Sequence, residues 1–422
     1  MGPPEMALQS KPEYRRTSRF LYLKRETESR TKATKHQPNN GGHCQGLRGG
    51  NRLDALEPTM SAQAKTLPGR YYTDPEIFQK EIETFFFQMW ISSGRSEQIA
   101  NPGDYYLCEV AGESILVTRD NANEVKAFYN VCRHRGTRMC REEQGKFAGR
   151  IQCPYHGWTY GLDGRLVGAP HMEEAAFRRE DYPLHAVHLG VWDGSIFLNL
   201  SARAKPLAEQ LGDLPKKFAP WRLQDLRLHE QRVYEVKANW KLLVSNYNEC
   251  LHCPILHPML SRVSDSMSGN NDPPQPTYIG GSMEFRAGAQ TMSVDGVRRR
   301  DYLPCLSAEQ RKLVLYYAIY PNLFLSLHPD YVMAHRLWPL AVDRTRVVCE
   351  WYFHPQEMAK PDFRADDAVE FWDATNREDW EISEWSQKGV SSRAYEPGPY
   401  STREGLPMAF DRMILGRERG SS

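Results

Sequence analysis

Two stretches hold most of the residues able to do chemistry. In "CRHRGTRMCREEQGKFAGRIQCPYHGW", 132–158, one residue separates Cys132 from His134, two separate Cys153 from His156, and 18 lie between the pairs. Each pair joins a thiolate to an imidazole and is followed by a glycine, Gly136 or Gly157, which lets a tight loop run past an inorganic centre. Zinc modules usually pair like with like, so a zinc knuckle is the weaker alternative. Mixed pairs suit a [2Fe–2S] rhombus, in which two neutral imidazoles make the cluster less negative and raise its potential. Cys140 lies outside this spacing and reads as a small buried hydrophobe.

The second stretch is "NWKLLVSNYNECLHCPILHP", 239–258. Here four residues separate His252 from His257, and Glu249 stands one turn before His252. On a regular helix Glu249 and His252 share a face while His257 is displaced by roughly 140°; Pro254 would break the helix between the histidines and let both imidazoles converge. Two histidines need a carboxylate to complete a facial iron site. The best source is "FWDATNREDWEISEWSQKG", 371–389, where Phe371, Trp372, Thr375, Asp379, Ile382 and Gln387 fall near one helical stripe. Asp379 is the expected ligand, with Asp373 and Glu378 as neighbouring acids. Cys250 and Cys253 form a C-x-x-C that could be a redox dithiol or a zinc site with the two histidines, but no thioredoxin-like context surrounds it. His328 and His335 read as pocket or core histidines.

These residues must be positioned by elements. A helix is expected from Pro75, capped by Asp74. From 104 to 200, short β runs such as "YYLCEV", "SILVTRD" and "SIFLNL" alternate with Gly, Asp and Asn turns. A polar, helical connector follows over 201–228, then strands such as "RVYEVKANW" and "TRVVCEWYFH", and a long helix around 365–388. Residues 1–65 are rich in Lys, Arg, Gln, Asn, Gly and Ser and are expected to be disordered, with targeting or a true start at Met60 as alternatives.

Fifty-four basic against 53 acidic side chains exclude a global electrostatic case for nucleic acid. No apolar run is long enough to span a membrane, the N-terminus lacks a secretory signal's apolar core, and nine cysteines favour metal ligands over a disulfide framework, so a cytoplasmic protein is expected.

The spacing C-x-H…C-x-x-H-G-W resembles the Rieske motif. With N-x-x-E-x-x-H-x-x-x-x-H-P about 100 residues downstream and a late helix bearing Asp379, residues 70–390 resemble the catalytic chain of a Rieske non-haem iron oxygenase. The resemblance implies an α+β protein: an N-terminal helix over 66–90 packing on the catalytic domain, an all-β Rieske domain over 91–200, and a helix-grip catalytic domain over 229–422. It implies that Cys132, His134, Cys153 and His156 hold a [2Fe–2S] cluster and that His252, His257 and Asp379 hold mononuclear Fe(II). Glu249, with Asn246 beside it, stands where the family has a bridging carboxylate, usually Asp, which implies a homotrimer. Electrons are expected from a separate NADH- or NADPH-dependent reductase, directly or through a ferredoxin, with O2 as co-substrate.

The glutamate within "ECLHC" is similar to the branch that oxidises quaternary ammonium compounds such as carnitine, choline or betaines. Tyr247, Tyr316, Tyr317, Tyr320, Phe324 and Trp338 are candidate cation-binding faces. An aromatic acid substrate, acted on by a ring-hydroxylating dioxygenase, is the competing expectation and would call on a base such as Arg336. A third is a Rieske electron-transfer protein without oxygenase activity. The loop 268–276 is expected beside the pocket mouth as a lid.

Overall fold

The structure, a computed structural model, describes residues 64–173 and 177–420, with side chains to 417. Apart from residues 64 and 65, the extension expected over 1–65, with Met60, lies outside the described residues.

Helix α1 (Pro75–Glu81) starts as its residues dictate: the Asp74 carboxylate accepts from the Glu76 amide at 2.8 Å and Pro75 occupies the first turn. The chain continues in a wider turn, Ile82–Phe86, that buries Phe85 and Phe86 against Trp240 at ring-centroid distances of 5.7 and 5.6 Å. Trp240 opens α2 (Trp240–Tyr247), where the Lys241 ammonium meets the Glu81 carboxylate at 2.6 Å with both groups buried.

Between these helices in sequence lies the β-rich half. Its four-stranded sheet runs in the order Val125–Tyr129, Glu113–Arg119, Asp104–Val110, Gln144–Lys146. Beside it is a three-stranded sheet of Arg150–Gln152, Thr159–Gly161 and Leu166–Gly168. Leu116, Phe128, Ile151, Trp158 and Tyr160 fill the space under the two cysteine–histidine loops. A third sheet joins Ile91–Arg95 to Ser195–Asn199 and His188–Trp192.

The other half is a seven-stranded antiparallel sheet, ordered Arg227–Val236, Arg344–Phe353, Val332–Ala341, Leu323–Leu327, Leu313–Ile319, Tyr278–Glu284, Asn270–Asn271. Helix α3 (Asp366–Val390) packs on it through Phe371, Trp372, Thr375, Asn376 and Trp380. Gln387 of α3 accepts from the Asn239 amide at 2.9 Å, and the Asn239 side chain caps α2 by accepting from Lys241 N, so the start of α2 is pinned to the end of α3. A sheet gripping a long helix is the α+β arrangement expected. Helix α4 (Gly405–Gly420) was not foreseen; its Phe410 packs edge-on to Trp240. No helix among the described residues is long and apolar enough to cross a membrane.

Candidate metal centres and catalytic cavity

The two cysteine–histidine loops are built alike. In the first, Gly136 N donates to Cys132 O and Cys132 N to Thr137 O; in the second, Gly157 N donates to Cys153 O and Cys153 N to Trp158 O. Gly136 at φ +75° and Gly157 at φ +71° close these turns in the left-handed region. The loops bring His134 and His156 to 4.7 Å between ring centroids, with Trp158 stacked on His134. Both thiols are buried, and His134 Nδ1 is a buried ring nitrogen with no partner among the described residues. An orphaned imidazole nitrogen beside two thiols fits a [2Fe–2S] cluster bound by two thiolates and two neutral histidines. Tyr160 supports this site: its hydroxyl lies 3.4 Å from Cys132 Sγ and accepts from Arg133 N at 3.0 Å. Cys140 is buried, its backbone held by Asn130, and burial pushes its thiol up to about 12, which keeps it an inert packing group.

The second centre departs from the expected local geometry. Helix α2 stops at Tyr247, residues 249–251 are irregular, and Pro254 lies in the first turn of a new short helix, Cys253–Leu256. Pro254 therefore starts a helix rather than breaking one, because its missing N–H is needed least in a first turn. Glu249 and His252 consequently do not share a regular helical face.

Convergence is reached all the same. His252 Nε2 and His257 Nε2 lie 3.3 and 3.0 Å from one oxygen, Asp379 Oδ1, supplied by α3. The other ring nitrogens are each held by a glutamate: His252 Nδ1 by Glu249 at 2.5 Å, His257 Nδ1 by Glu378 at 2.7 Å. The Asn246 amide donates to Asp379 Oδ1 at 3.1 Å. Burial opposes charge on His252, yet its bonds to Asp379 and Glu249 outweigh burial and raise the imidazole to about 9. Burial likewise pushes Asp379 up, and the two histidines pull it below its usual value. Two imidazoles and one carboxylate aimed at a common point, each ring oriented by a second carboxylate, fit a divalent iron.

Of the other acids, Asp373 is committed to the Tyr234 hydroxyl and to Arg232 and Arg377. Glu378, expected from sequence only as an alternative ligand, instead holds His257 Nδ1, a contact across 121 residues that no local spacing signals. Cys250 and Cys253 are joined as a disulfide, which leaves neither thiol free as a zinc ligand.

These groups sit in a cavity of about 490 Å³. Of the six aromatics named from sequence, Tyr247 and Tyr316 line it, and Trp372 of α3 adds a third face. Tyr317, next in its strand, points to the opposite side of the sheet and packs on Phe218; Phe324 stacks behind Tyr247 at 4.2 Å; Tyr320 packs on Phe410. Trp338 packs at the margin of the main core, away from the cavity. Arg336 is also absent from the cavity: it is buried in an ion pair with Glu350. His335 is bonded to Asn376 and pushed down to about 4 by burial, and His328 is stacked on Tyr331, so both are neutral core histidines. Gly269 and Asn271 of the 268–276 segment reach the cavity, but Asn270–Asn271 pair as an edge strand rather than forming a free lid. Thr402 and Arg403, just before α4, and Leu406 in its first turn complete the rim unforeseen.

Residues 89–186 match the Rieske [2Fe-2S] domain and residues 223–417 the ring hydroxylating alpha subunit (catalytic domain). The chain belongs to the Rieske non-haem iron oxygenases as a catalytic alpha subunit: an O2-using oxidoreductase with a [2Fe–2S] cluster and a mononuclear iron. It is 29% identical over 391 residues to the glycine betaine monooxygenase oxygenase subunit of Pseudomonas aeruginosa, spanning 82% of this chain and 90% of that one. Over 202 residues it is 39% identical to the carnitine monooxygenase oxygenase subunit of Escherichia coli, 47% of this chain and 54% of that one. A quaternary ammonium Rieske monooxygenase crystallised with L-carnitine superposes with a TM-score of 0.69 at 25% identity, covering 84% of this chain and 95% of that one.

Proposed function

We propose that this chain hydroxylates a quaternary ammonium compound at a carbon next to nitrogen, with Cys132, His134, Cys153 and His156 holding the cluster and His252, His257 and Asp379 the iron. The observation that carries the reading is the meeting of both histidine Nε2 atoms at Asp379 Oδ1 on the wall of a cavity faced by Tyr247, Tyr316 and Trp372. The iron supplies O2 activation and the cluster supplies electrons one at a time. In net terms O2, two electrons and two protons turn one C–H bond into C–OH and release one water; the resulting carbinolamine then collapses to an aldehyde and a tertiary amine.

The chain's own residues prepare that chemistry. Glu249 and Glu378 accept from the Nδ1–H groups of His252 and His257, which orients both rings so that their Nε2 atoms would be the ones to hold iron. Asn246 orients the Asp379 carboxylate by donating to it. A quaternary ammonium has no N–H to give, so aromatic faces are its natural partners, at about 0.5–2 kcal/mol per face. Leu260, Met283 and Leu406 exclude water from the remaining wall.

The partner of this subunit is a reductase, reached directly or through a ferredoxin, and the assembly is a homotrimer. Exposed apolar side chains at both centres support the trimer: Tyr155 beside His156, and Leu251 and Ile255 in the iron loop, are surfaces one copy can bury against the next. The test is aerobic turnover with an NADH- or NADPH-driven reductase over betaines, carnitine, choline and aromatic acids. Aldehyde and amine release from a quaternary compound is expected; consumption of aromatic acids alone refutes the substrate class.

A further inference from the structure

The cavity wall is acidic and aromatic at the metal ligands, with Glu249 and Asp379, and carries one strong cation at its rim. Arg403 is the sole lysine or arginine among the described residues that line it. Its guanidinium has no carboxylate partner among the described residues; Nη1 lies 3.7 Å from Met267 Sδ, and Met267 lines the same cavity. The nearest acid in sequence, Glu404, is engaged elsewhere, its Oε2 accepting from Ser401 N at 2.6 Å. Arg403 N in turn donates to Ser401 Oγ at 3.1 Å, so the Arg403 backbone is tied into the turn that leads to α4. By contrast Arg336, Arg300 and Arg232 of the same half are each committed to acids. A guanidinium left without an anion at the mouth of a substrate cavity is a site for a planar oxyanion, which it can grip through two parallel N–H donors.

We propose that Arg403 is a specificity-determining residue that binds the carboxylate of the substrate, so that the preferred substrates are betaines, with a trialkylammonium at one end and a carboxylate at the other. This rests on the quaternary ammonium reading above and narrows it. The cation lies against Tyr247, Tyr316 and Trp372 near the metal ligands, and the carboxylate reaches back to the rim. An amino alcohol such as choline fills only the first half of this arrangement.

The test measures binding to the holoenzyme by calorimetry, with γ-butyrobetaine, its methyl ester, and the carbon isostere in which a quaternary carbon replaces nitrogen. R403Q and R403K are compared with the wild type, the cluster spectrum and melting temperature reporting an intact fold. R403Q is expected to weaken γ-butyrobetaine by roughly ten- to a hundredfold and to leave the ester unchanged, with R403K in between. If R403Q affects acid and ester alike, or neither, or if the wild type binds the ester as tightly as the acid, the assignment of Arg403 is overturned. If instead the isostere binds as well as γ-butyrobetaine while R403Q still discriminates acid from ester, the carboxylate site stands and the quaternary ammonium reading fails. A wild-type enzyme that binds none of the three overturns both.

Discussion

Removing the His257 imidazole deletes one of two nitrogens that meet Asp379 and leaves the cysteine–histidine loops untouched. His257→Ala is therefore expected to keep the visible spectrum of the cluster, lose product formation, and lower iron from about three to about two atoms per chain by metal analysis. Retained turnover would refute the iron assignment. Glu378 makes a finer prediction, because it acts through His257 rather than on the metal. Glu378→Gln keeps the size but weakens the acceptor that fixes the ring, so ferrous affinity should drop by roughly ten- to a hundredfold with the cluster spectrum constant. Tyr160→Phe addresses the other centre: loss of the hydroxyl beside Cys132 Sγ should lower the cluster potential in a redox titration. At this scale the two cysteine–histidine pairs and the two histidines that the structure brings together were legible from spacing alone. The glutamate behind His257 was not, since a contact between residues 257 and 378 leaves no local pattern.

Among the elements, α1 and α2 are joined by a buried ion pair whose removal has a defined sign. Lys241→Met takes the Lys241 ammonium away from the buried Glu81 carboxylate and leaves the Trp240 Nε1–H bond to it in place, a loss of about 3–5 kcal/mol that a melting curve would read. A double variant, Glu81→Gln with Lys241→Met, should recover much of that loss when melted below about pH 6, where nearby Asp411 is protonated, because neither member of the pair is then left charged; an equally low melting temperature would show that the helices need the pair itself. The cap of α1 was legible because Asp74 and Pro75 are adjacent in sequence and act on the amides next to them. The reading of Pro254 was not, because proline is compatible with both the end of one helix and the first turn of the next, and only the halt of α2 at Tyr247 decides between them. Strand alternation has the same limit. Tyr316 and Tyr317 are identical in type and adjacent, yet one faces the cavity and the other Phe218.

In the whole molecule, α4 brings the C-terminal region back to the N-terminal segment: Asp411 Oδ2 accepts from Leu67 N at 3.1 Å and from the Tyr400 hydroxyl, and Thr66 N donates to Gly398 O. Burial raises Asp411 from 3.8 to about 6, against the pull of those two donors and of the Lys241 ammonium. The folded state therefore holds a proton that the unfolded state has lost, and this group's contribution to stability is full below pH 3.8 and is lost as pH rises through about 6. The size is about 3 kcal/mol. Asp411→Asn keeps an acceptor for Leu67 and Tyr400 without ionising, so it should gain stability over the wild type above about pH 6, and melting curves at pH 4 and pH 7 measure the difference.

The sequence by itself determined the chemistry. The two cysteine–histidine pairs and the His252–His257 pair were readable because candidate metal-binding groups are particular donor atoms at loop-scale spacings, and loops are local. It also determined the capped first helix and the alternation of strands, which follow from neighbouring residues. Only the tertiary structure decided which carboxylate meets both histidines and which orients each ring. It also decided which aromatics of the sheet turn inward, and that the turn leading into α4 brings Arg403 to the rim of a cavity whose walls come from as far back as Asn246. Those are contacts between distant segments, set by how sheet and helices pack, and no periodicity within one segment encodes its partner in another.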